Sequence, residues 1–397
     1  MSGLDPVKAA VHTWMTSLWS SFTARGGAGR RRGTSSRRSR TAMPKRKRDP
    51  ALASRKEDGF YAHAQASAGR ELLRLPSKAG NGTLIVAEHG PWRVLWLQRD
   101  AAGPADVTEA DLFQGVTYHR KRYTGDSVRD PFVWGIQRGD PRVKESLVSG
   151  VVGFDYQRLL CATALPFLHE ATLPYDMRTT HPVACLVGLG SGCCAAALAG
   201  MHGRFVVHAL EIDAAVVQAA AKVHGVRVAQ LGGLWRAASA GNGVVRVTVA
   251  DAADALRTAG PGSLQCVVLD AYDGDGRVPP ALQSARFVDG VAKALAPGGA
   301  AIANVWRLEP AERRATDAFA RRLAAKIGTV YEIPVPEREG SLVLVAIKAG
   351  SGDPPSLEAL RLRLRAAAAA SDLTLEPEMR ACLNSSMATI REWSAAK

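Results

Sequence analysis

The sequence predicts an α/β protein whose core is a mostly parallel sheet covered by helices on both faces. Two observations carry that expectation. Between residues 183 and 306, short apolar runs alternate with helical patterns, and the runs end in glycines or acids rather than in hairpin turns. Ahead of them, residues 83–155 have a different rhythm, with apolar runs flanking a turn signal that predict a small N-terminal β-rich module.

Residues 1–50 are rich in Arg, Ser and Gly and poor in anything that packs, so a disordered basic tail is expected. Residues 1–49 hold twelve Lys/Arg and two Asp, so +10 of the net charge of +14 lies there and only +4 remains for the rest. The basic balance is thus a property of the tail. It allows a weak, salt-sensitive association with nucleic acid and gives no sequence-reading surface. Trp14, Leu18, Trp19 and Phe22 with basic flanks suit an organelle (mitochondrial or plastid) transit peptide. Pro44-Lys45-Arg46-Lys47-Arg48 suits nuclear import, and a solvated tail without an address, leaving the protein cytoplasmic, is the third reading. Met43 offers an alternative start. No apolar run reaches the roughly 18–20 residues that span a bilayer, so no membrane partner is expected. The six cysteines form no Cys-x-x-Cys pair and no metal-spaced cluster, and most lie in apolar runs where Cys packs as a small hydrophobe. Vicinal Cys193-Cys194 keeps a redox alternative open.

The elements follow in order. Thr83–Glu88 and Trp92–Leu97 flank His89-Gly90-Pro91 as two strands flank a turn. Residues 156–169 have helical apolar spacing. A cofactor-type domain, 156–349, then alternates: strands at 183–187, 205–210, 244–249, 267–269 and 300–305, and helices at 193–201, 214–224 and 287–295. Ala296-Pro297-Gly298-Gly299 reads as a helix stop, and 330–333 with 342–347 as a closing antiparallel pair. Residues 350–397 read as a helical extension of one or two Ala/Leu-rich helices.

In such a sheet, ligands bind beyond the C-terminal strand ends. After the first strand come Gly188, Gly190, Ser191 and Gly192, a loop that brings backbone close to a ligand at a helix N-terminus. A nicotinamide fingerprint would need a third glycine where Cys193 stands, which lowers that reading. After the second strand, Glu211 is placed to accept from two ribose hydroxyls, while Asp213 reads as a helix cap. After the third, Asp251 is placed for an adenine amino group, with a capping role competing. After the fourth, Asp270, Asp273 and Asp275 crowd a glycine-rich loop, and Asp270 at the strand end should face the reacting group.

These motifs together resemble the spermidine synthase-like family, which includes polyamine aminopropyltransferases and S-adenosylmethionine-dependent methyltransferases. The resemblance rests on Val-Gly-Leu-Gly-Ser-Gly (187–192), Ala-Leu-Glu-Ile-Asp (209–213) and Val-Ala-Asp-Ala (249–252). It continues through Asp-Ala-Tyr-Asp-Gly-Asp-Gly-Arg-Val-Pro-Pro (270–280), Arg-Phe-Val-Asp-Gly-Val (286–291) and Leu-Ala-Pro-Gly-Gly-Ala-Ala-Ile-Ala-Asn-Val-Trp (295–306), and covers about residues 83–347. It implies a Rossmann-like S-adenosylmethionine-dependent methyltransferase fold, a mostly parallel seven-stranded sheet behind an N-terminal β module, and dimerisation through that module. By the same resemblance Glu211 would hold the ribose and Asp251 the adenine. Asp270 would be the base or orienting acid, Tyr156 and Asp273 would position an acceptor amine, and Gly153–Gln157 would feed a Tyr and a Gln into the site. Gln98 is a provisional choice for a family glutamine at the cofactor. The family's aminopropyltransferases carry an Asp in the glycine loop, where this chain has Ser191.

The cofactor expected is therefore S-adenosylmethionine or its decarboxylated form, with no metal. The reaction expected is methyl transfer to an amine or other nucleophile on a cationic small molecule or protein. Aminopropyl transfer to a diamine is the alternative, and a non-catalytic binding protein on the same fold the third reading.

Overall fold

The computed structural model describes residues 69–79, 82–90, 92–99, 113–123, 143–147, 152–170, 183–200, 206–230, 245–273, 277–336, 338–350, 356–370 and 377–394. The basic tail with its targeting readings, and Asp275, lie outside them. Among the described residues no helix is long and apolar enough to cross a membrane, and no group of three His, Cys, Asp or Glu is placed to hold a metal.

Five antiparallel strands form the first sheet: β1 (Arg70–Ser77), β2 (Gly82–His89), β3 (Trp92–Arg99), β4 (Phe113–Tyr123) and β5 (Val143–Leu147), in that order. The β2–β3 register pairs His89 with Trp92, so the connection is two residues long, and Gly90 takes the positive φ (59°) that a two-residue hairpin needs. β1 lies ahead of residue 83, where the module was expected to begin. As the edge strand it presents Arg70, Glu71 and Arg74 outward, so it lacks the unbroken apolar run, Leu84–Ala87, that marks β2.

The second sheet has nine strands in the order β14-β12-β13-β11-β10-β6-β7-β9-β8. These are β6 (Val183–Val187), β7 (Val206–Glu211), β8 (Val228–Gln230), β9 (Val245–Val249), β10 (Leu264–Leu269), β11 (Leu295–Trp306), β12 (Val330–Pro334), β13 (Ser341–Ile347) and β14 (Arg391–Glu392). From β8 to β11 every pairing is parallel; β13 runs antiparallel between β11 and β12, and β14 pairs antiparallel with β12. The two strands beyond the expected seven, β8 and β14, are three and two residues long and sit at the edges. The chain leaves β6 toward β7 and β9, then returns to β10 on β6's other side, so the topological switch point lies between β6 and β10.

Period-two burial divides the sheet's side chains between two cores. Ala184, Leu186, Val207, Val268 and Ile302 face one layer, with α1 (Asp155–Glu170), α2 (Cys193–Gly200), α3 (Ala214–Lys222), α7 (Leu357–Ala370) and α8 (Pro377–Met387). Cys185, Val187, Val267, Leu269 and Ala303 face the other, with α4 (Ala252–Thr258), α5 (Ala285–Ala294) and α6 (Pro310–Lys326). Both faces are covered, which is why the strands read as unbroken apolar runs. α7 and α8 pack on α1. α5 does end at Ala294, yet residues 296–299 are not a free loop: β11 starts at Leu295, and Gly299 packs against the Gln265 carbonyl where the register shifts.

The first sheet docks on the first layer, where Leu84, Val86 and Leu95 join its core. At that seam Thr117 Oγ1 lies 3.0 Å from His119 Nε2 and 2.7 Å from His224 Nδ1. Burial pushes both imidazoles down to about 3, so they are neutral at neutral pH.

Candidate functional site

The C-terminal ends of β9, β7, β6 and β10 form one rim, and the loop from Gly188 to Gly192 crosses its middle. Gly188, Gly190 and Gly192 all have positive φ (88°, 53° and 79°). A Cβ at Gly188 would lie 2.3 Å from the Asp270 carbonyl oxygen, so only glycine lets this loop pass the end of β10. Ser191 is buried and its hydroxyl donates to the Val116 carbonyl of β4 (3.3 Å). Gly115 makes that approach possible, because a Cβ there would stand 2.5 Å from Ser191 Oγ. The five-stranded sheet thus rests on the glycine loop, and Ser191 gives the site a neutral wall.

Glu211 ends β7. Its carboxylate accepts from the Leu189 N–H (2.8 Å) and from the Asp213 N–H (3.0 Å). Burial pushes its pKa up against those two bonds, which favour the ionised form. Asp213 caps α3 through Ala215 N (2.9 Å) and also accepts from the Ser77 hydroxyl. Asp251 follows β9 and caps α4: Oδ1 accepts from Ala253 N (2.7 Å) and Asp254 N (3.2 Å). Beside Glu211 stand two unburied apolar side chains, Ile212 at 60% exposure and Val249 at 47%. An exposed apolar pair at two neighbouring strand ends offers a flat ligand a surface to cover. In the sequence Ile212 stands between two acids, Glu211 and Asp213, and a lone apolar residue there carries no signal of exposure.

At the other end, Asp270 follows β10, its N–H donating to the Val187 carbonyl (2.9 Å). Oδ2 accepts from Gln157 Nε2 of α1 (3.1 Å), and the Cys194 thiol of α2 lies 3.7 Å from the same oxygen. Oδ1 is buried with no hydrogen-bond partner. Burial raises the Asp270 pKa, partly offset by Gln157, Asn304 and Cys194. The register that pairs Leu269 with Ala303 sets the buried Asn304 amide beside Asp270, close enough to favour the ionised carboxyl though short of good hydrogen-bond geometry. The Tyr272 hydroxyl is likewise buried; burial and the nearby Asp270 push its pKa well up, against a contact with Trp306 that lowers it. Tyr156 stacks on Phe154 (centroids 5.5 Å apart, planes at 12°); burial, then the nearby Asp270, Tyr272, Cys194 and Cys193, pushes its pKa well up, so the phenol stays protonated.

The structure therefore gathers Tyr156, Gln157 and Asp270 at one place, and adds Cys193, Cys194, Tyr272 and Asn304. Asp273 closes its own loop instead: its N–H donates to the Arg277 carbonyl (2.8 Å), and Oδ1 accepts from the Arg277 N–H (2.9 Å). Gln98, the provisional cofactor contact, is exposed on β3, where Arg74 donates to its amide oxygen (3.3 Å), so it is not part of the rim. Asn304 was visible in the sequence only as part of an Asn-Val-Trp motif; a polar residue inside an otherwise apolar strand was the signal for it.

All six cysteines are buried free thiols. Contact with the Cys161 and Cys193 thiols, and then burial, holds the Cys194 pKa well above its ordinary value, which keeps it a thiol rather than a nucleophilic thiolate.

No family model matches the chain, and no curated protein matches its sequence. Among solved structures, it is similar to a "probable spermidine synthase" from Corynebacterium glutamicum at 14% identity and a TM-score of 0.48, covering 73% of this chain and 86% of that one. It is also similar to human methyltransferase-like protein 13, solved with SAH, at 18% identity and a TM-score of 0.43, covering 57% of this chain and 93% of that one. A spermidine synthase from Thermotoga maritima matches at 14% identity and a TM-score of 0.42, covering 70% and 73% of the two chains.

Proposed function

We propose that this chain is a transferase that takes S-adenosylmethionine and passes its methyl group to an amine or other nucleophile. The observation that carries the reading is the order of groups along the rim: Asp251, Glu211, the glycine loop and Asp270 at the ends of four adjacent parallel strands. Strands lie about 4.8 Å apart, so the row spans roughly 14 Å, the reach of a ligand with a base, a sugar and a reacting group in line. The residues present fit such a cofactor. Ile212 and Val249 offer an apolar surface for the base, with Asp251 at its edge. Each oxygen of Glu211 accepts one backbone N–H and retains a lone pair for a ribose hydroxyl. Gly188 and Gly190 keep the loop clear of side chains where the sugar and sulfur would pass.

When bound, the sulfonium supplies an already activated methyl group. What remains for the protein is alignment of the acceptor and removal of a proton. Asp270 suits that role: Oδ2 is fixed by Gln157, while Oδ1 is buried, unpartnered and raised in basicity by its surroundings. Tyr156 and Tyr272 would flank the acceptor, Asp273 would hold the acidic loop in place beside it, and a cationic amine would be drawn to this acid-rich end.

Aminopropyl transfer from decarboxylated S-adenosylmethionine is the second reading, favoured by Tyr156 and Asp270 together. Ser191 argues for the first. With its hydroxyl engaged by Val116, it sets no anion against the carboxylate of the intact cofactor and offers none to an aminopropyl ammonium. Calorimetric titration with the two cofactors side by side separates the readings. The intact form should bind more tightly. Tighter binding of the decarboxylated form would replace methyl by aminopropyl transfer, and no binding of either would leave a non-catalytic protein on this fold.

A further inference from the structure

The vicinal thiols at the start of α2 stand where a nicotinamide-type loop would place its third glycine, and their geometry gives them a use. Cys193 Sγ lies 3.0 Å from Gln157 Oε1, and Gln157 Nε2 lies 3.1 Å from Asp270 Oδ2. Cys194 Sγ stands 3.7 Å from that same Oδ2. All three partners of the chain Cys193–Gln157–Asp270 sit in the wall between α1, α2 and the end of β10, and both Cys193 and Gln157 are buried.

We propose that Cys193 is a positioning residue for Asp270, acting through Gln157. A side-chain amide has two faces of opposite polarity and nearly the same shape. With Oε1 toward Asp270, two acceptors would oppose each other; with Nε2 toward it, the carboxylate receives a donor. A thiol is chiefly a donor toward a carbonyl, so Cys193 favours Oε1 on its own side and thereby holds Nε2 on the Asp270 side. The consequence is at Oδ1. With Oδ2 held by the amide and faced by the Cys194 thiol, the carboxyl plane is fixed, and Oδ1 is the oxygen left over for a ligand.

This inference assigns a role within the proposed acceptor site and so rests on that reading, yet its test does not need turnover. The Asp270 side-chain carboxyl is followed by carbon NMR through a pH titration of the full chain, in Cys193→Ala, Cys193→Ser, and Cys193→Ala placed in a Gln157→Ala background. Removing the thiol frees the amide to turn, weakens one bond to the ionised carboxyl, and should raise the Asp270 titration midpoint by about half a pH unit. Serine restores a donor of similar reach and should return most of that shift. In the Gln157→Ala background the cysteine substitution should move nothing further, because the route to Asp270 is already cut. A midpoint that stays at the wild-type value in Cys193→Ala overturns the inference, as does a full additional shift in the Gln157→Ala background. A chain that binds neither cofactor form overturns the proposed function instead, and the carboxyl titration still reads the relay.

Discussion

At the β7–β9 end of the rim, Glu211, Asp213 and Asp251 all accept hydrogen bonds from backbone N–H groups, those of Asp213 and Asp251 from the helices that follow them and one of Glu211's from Leu189 in the glycine loop. At the β10–β11 end, by contrast, Asp270 Oδ1 and both polar atoms of the Asn304 amide are buried without a well-formed hydrogen bond. The first arrangement stabilises the fold before any ligand arrives. The second costs stability, since a buried group left unpaired forfeits about 1–3 kcal/mol. Groups that grip a static part of a ligand are best fixed in advance. Groups that must exchange a proton or a partner during a reaction need an open valence, and such deficits gather at sites of chemistry.

The largest expected effect comes from the unsatisfied end. Asp270→Asn keeps the shape and can still meet Gln157, but removes the acceptor oxygen that carries charge. Turnover should fall on the order of 10²-fold or more, while cofactor affinity measured by calorimetry stays within a few-fold of wild type. The melting temperature should hold or rise, because a buried acid under desolvation becomes a neutral amide. An unchanged rate would take Asp270 out of the chemistry and reduce the contrast between the two ends to a packing accident.

Glu211→Gln probes the satisfied end and should do the reverse. An amide can accept one of the two N–H groups but turns its NH₂ toward the other, so both the loop and a bound ribose lose a charge-assisted bond. Cofactor binding should weaken by about 1–3 kcal/mol, with turnover at saturation little changed, and the melting temperature should drop. A lower melting temperature with unaltered binding would mean that Glu211 only ties Leu189 and Asp213 together.

The same contrast explains what could be read from the sequence. Strands β6, β7 and β9–β11 were legible because burial on both faces makes continuous apolar runs, and Glu211, Asp251 and Asp270 because they end those runs. α4 and α6 were not separated from their surroundings: α4 is seven residues long, and five Arg/Lys mask the apolar stripe of α6. β1 hid behind its edge charges. No local pattern shows the connections of Asp270, and only the family resemblance brought a Gln from residues 153–157 into its site. Its partner Gln157 is 113 residues away, and nothing local to Cys193, read as a missing glycine, says that its thiol meets Gln157. The capping of α3 and α4 by Asp213 and Asp251 was readable for the opposite reason, since each bond closes within three residues.

Asp251 gives the smallest expected effect and the finest distinction, because it is both a cap and a rim group. Asp251→Ala should cost about 0.5–2 kcal/mol of stability by releasing the Ala253 and Asp254 N–H groups at the start of α4. Any loss of cofactor affinity in that variant would be confounded with the loosened helix. Asp251→Asn separates the two roles. Asparagine caps a helix about as well as aspartate, so Oδ1 keeps its bonds and thermal melting should move little. Only the charge and the second oxygen change, and these are what a base amino group at the rim would feel. A few-fold weaker calorimetric affinity with an unshifted melting curve would place the base end of the ligand at β9. Affinity equal to wild type would confine Asp251 to the helix, and the holding end of the rim would then begin at Glu211, with Ile212 and Val249 carrying the base on apolar contact alone.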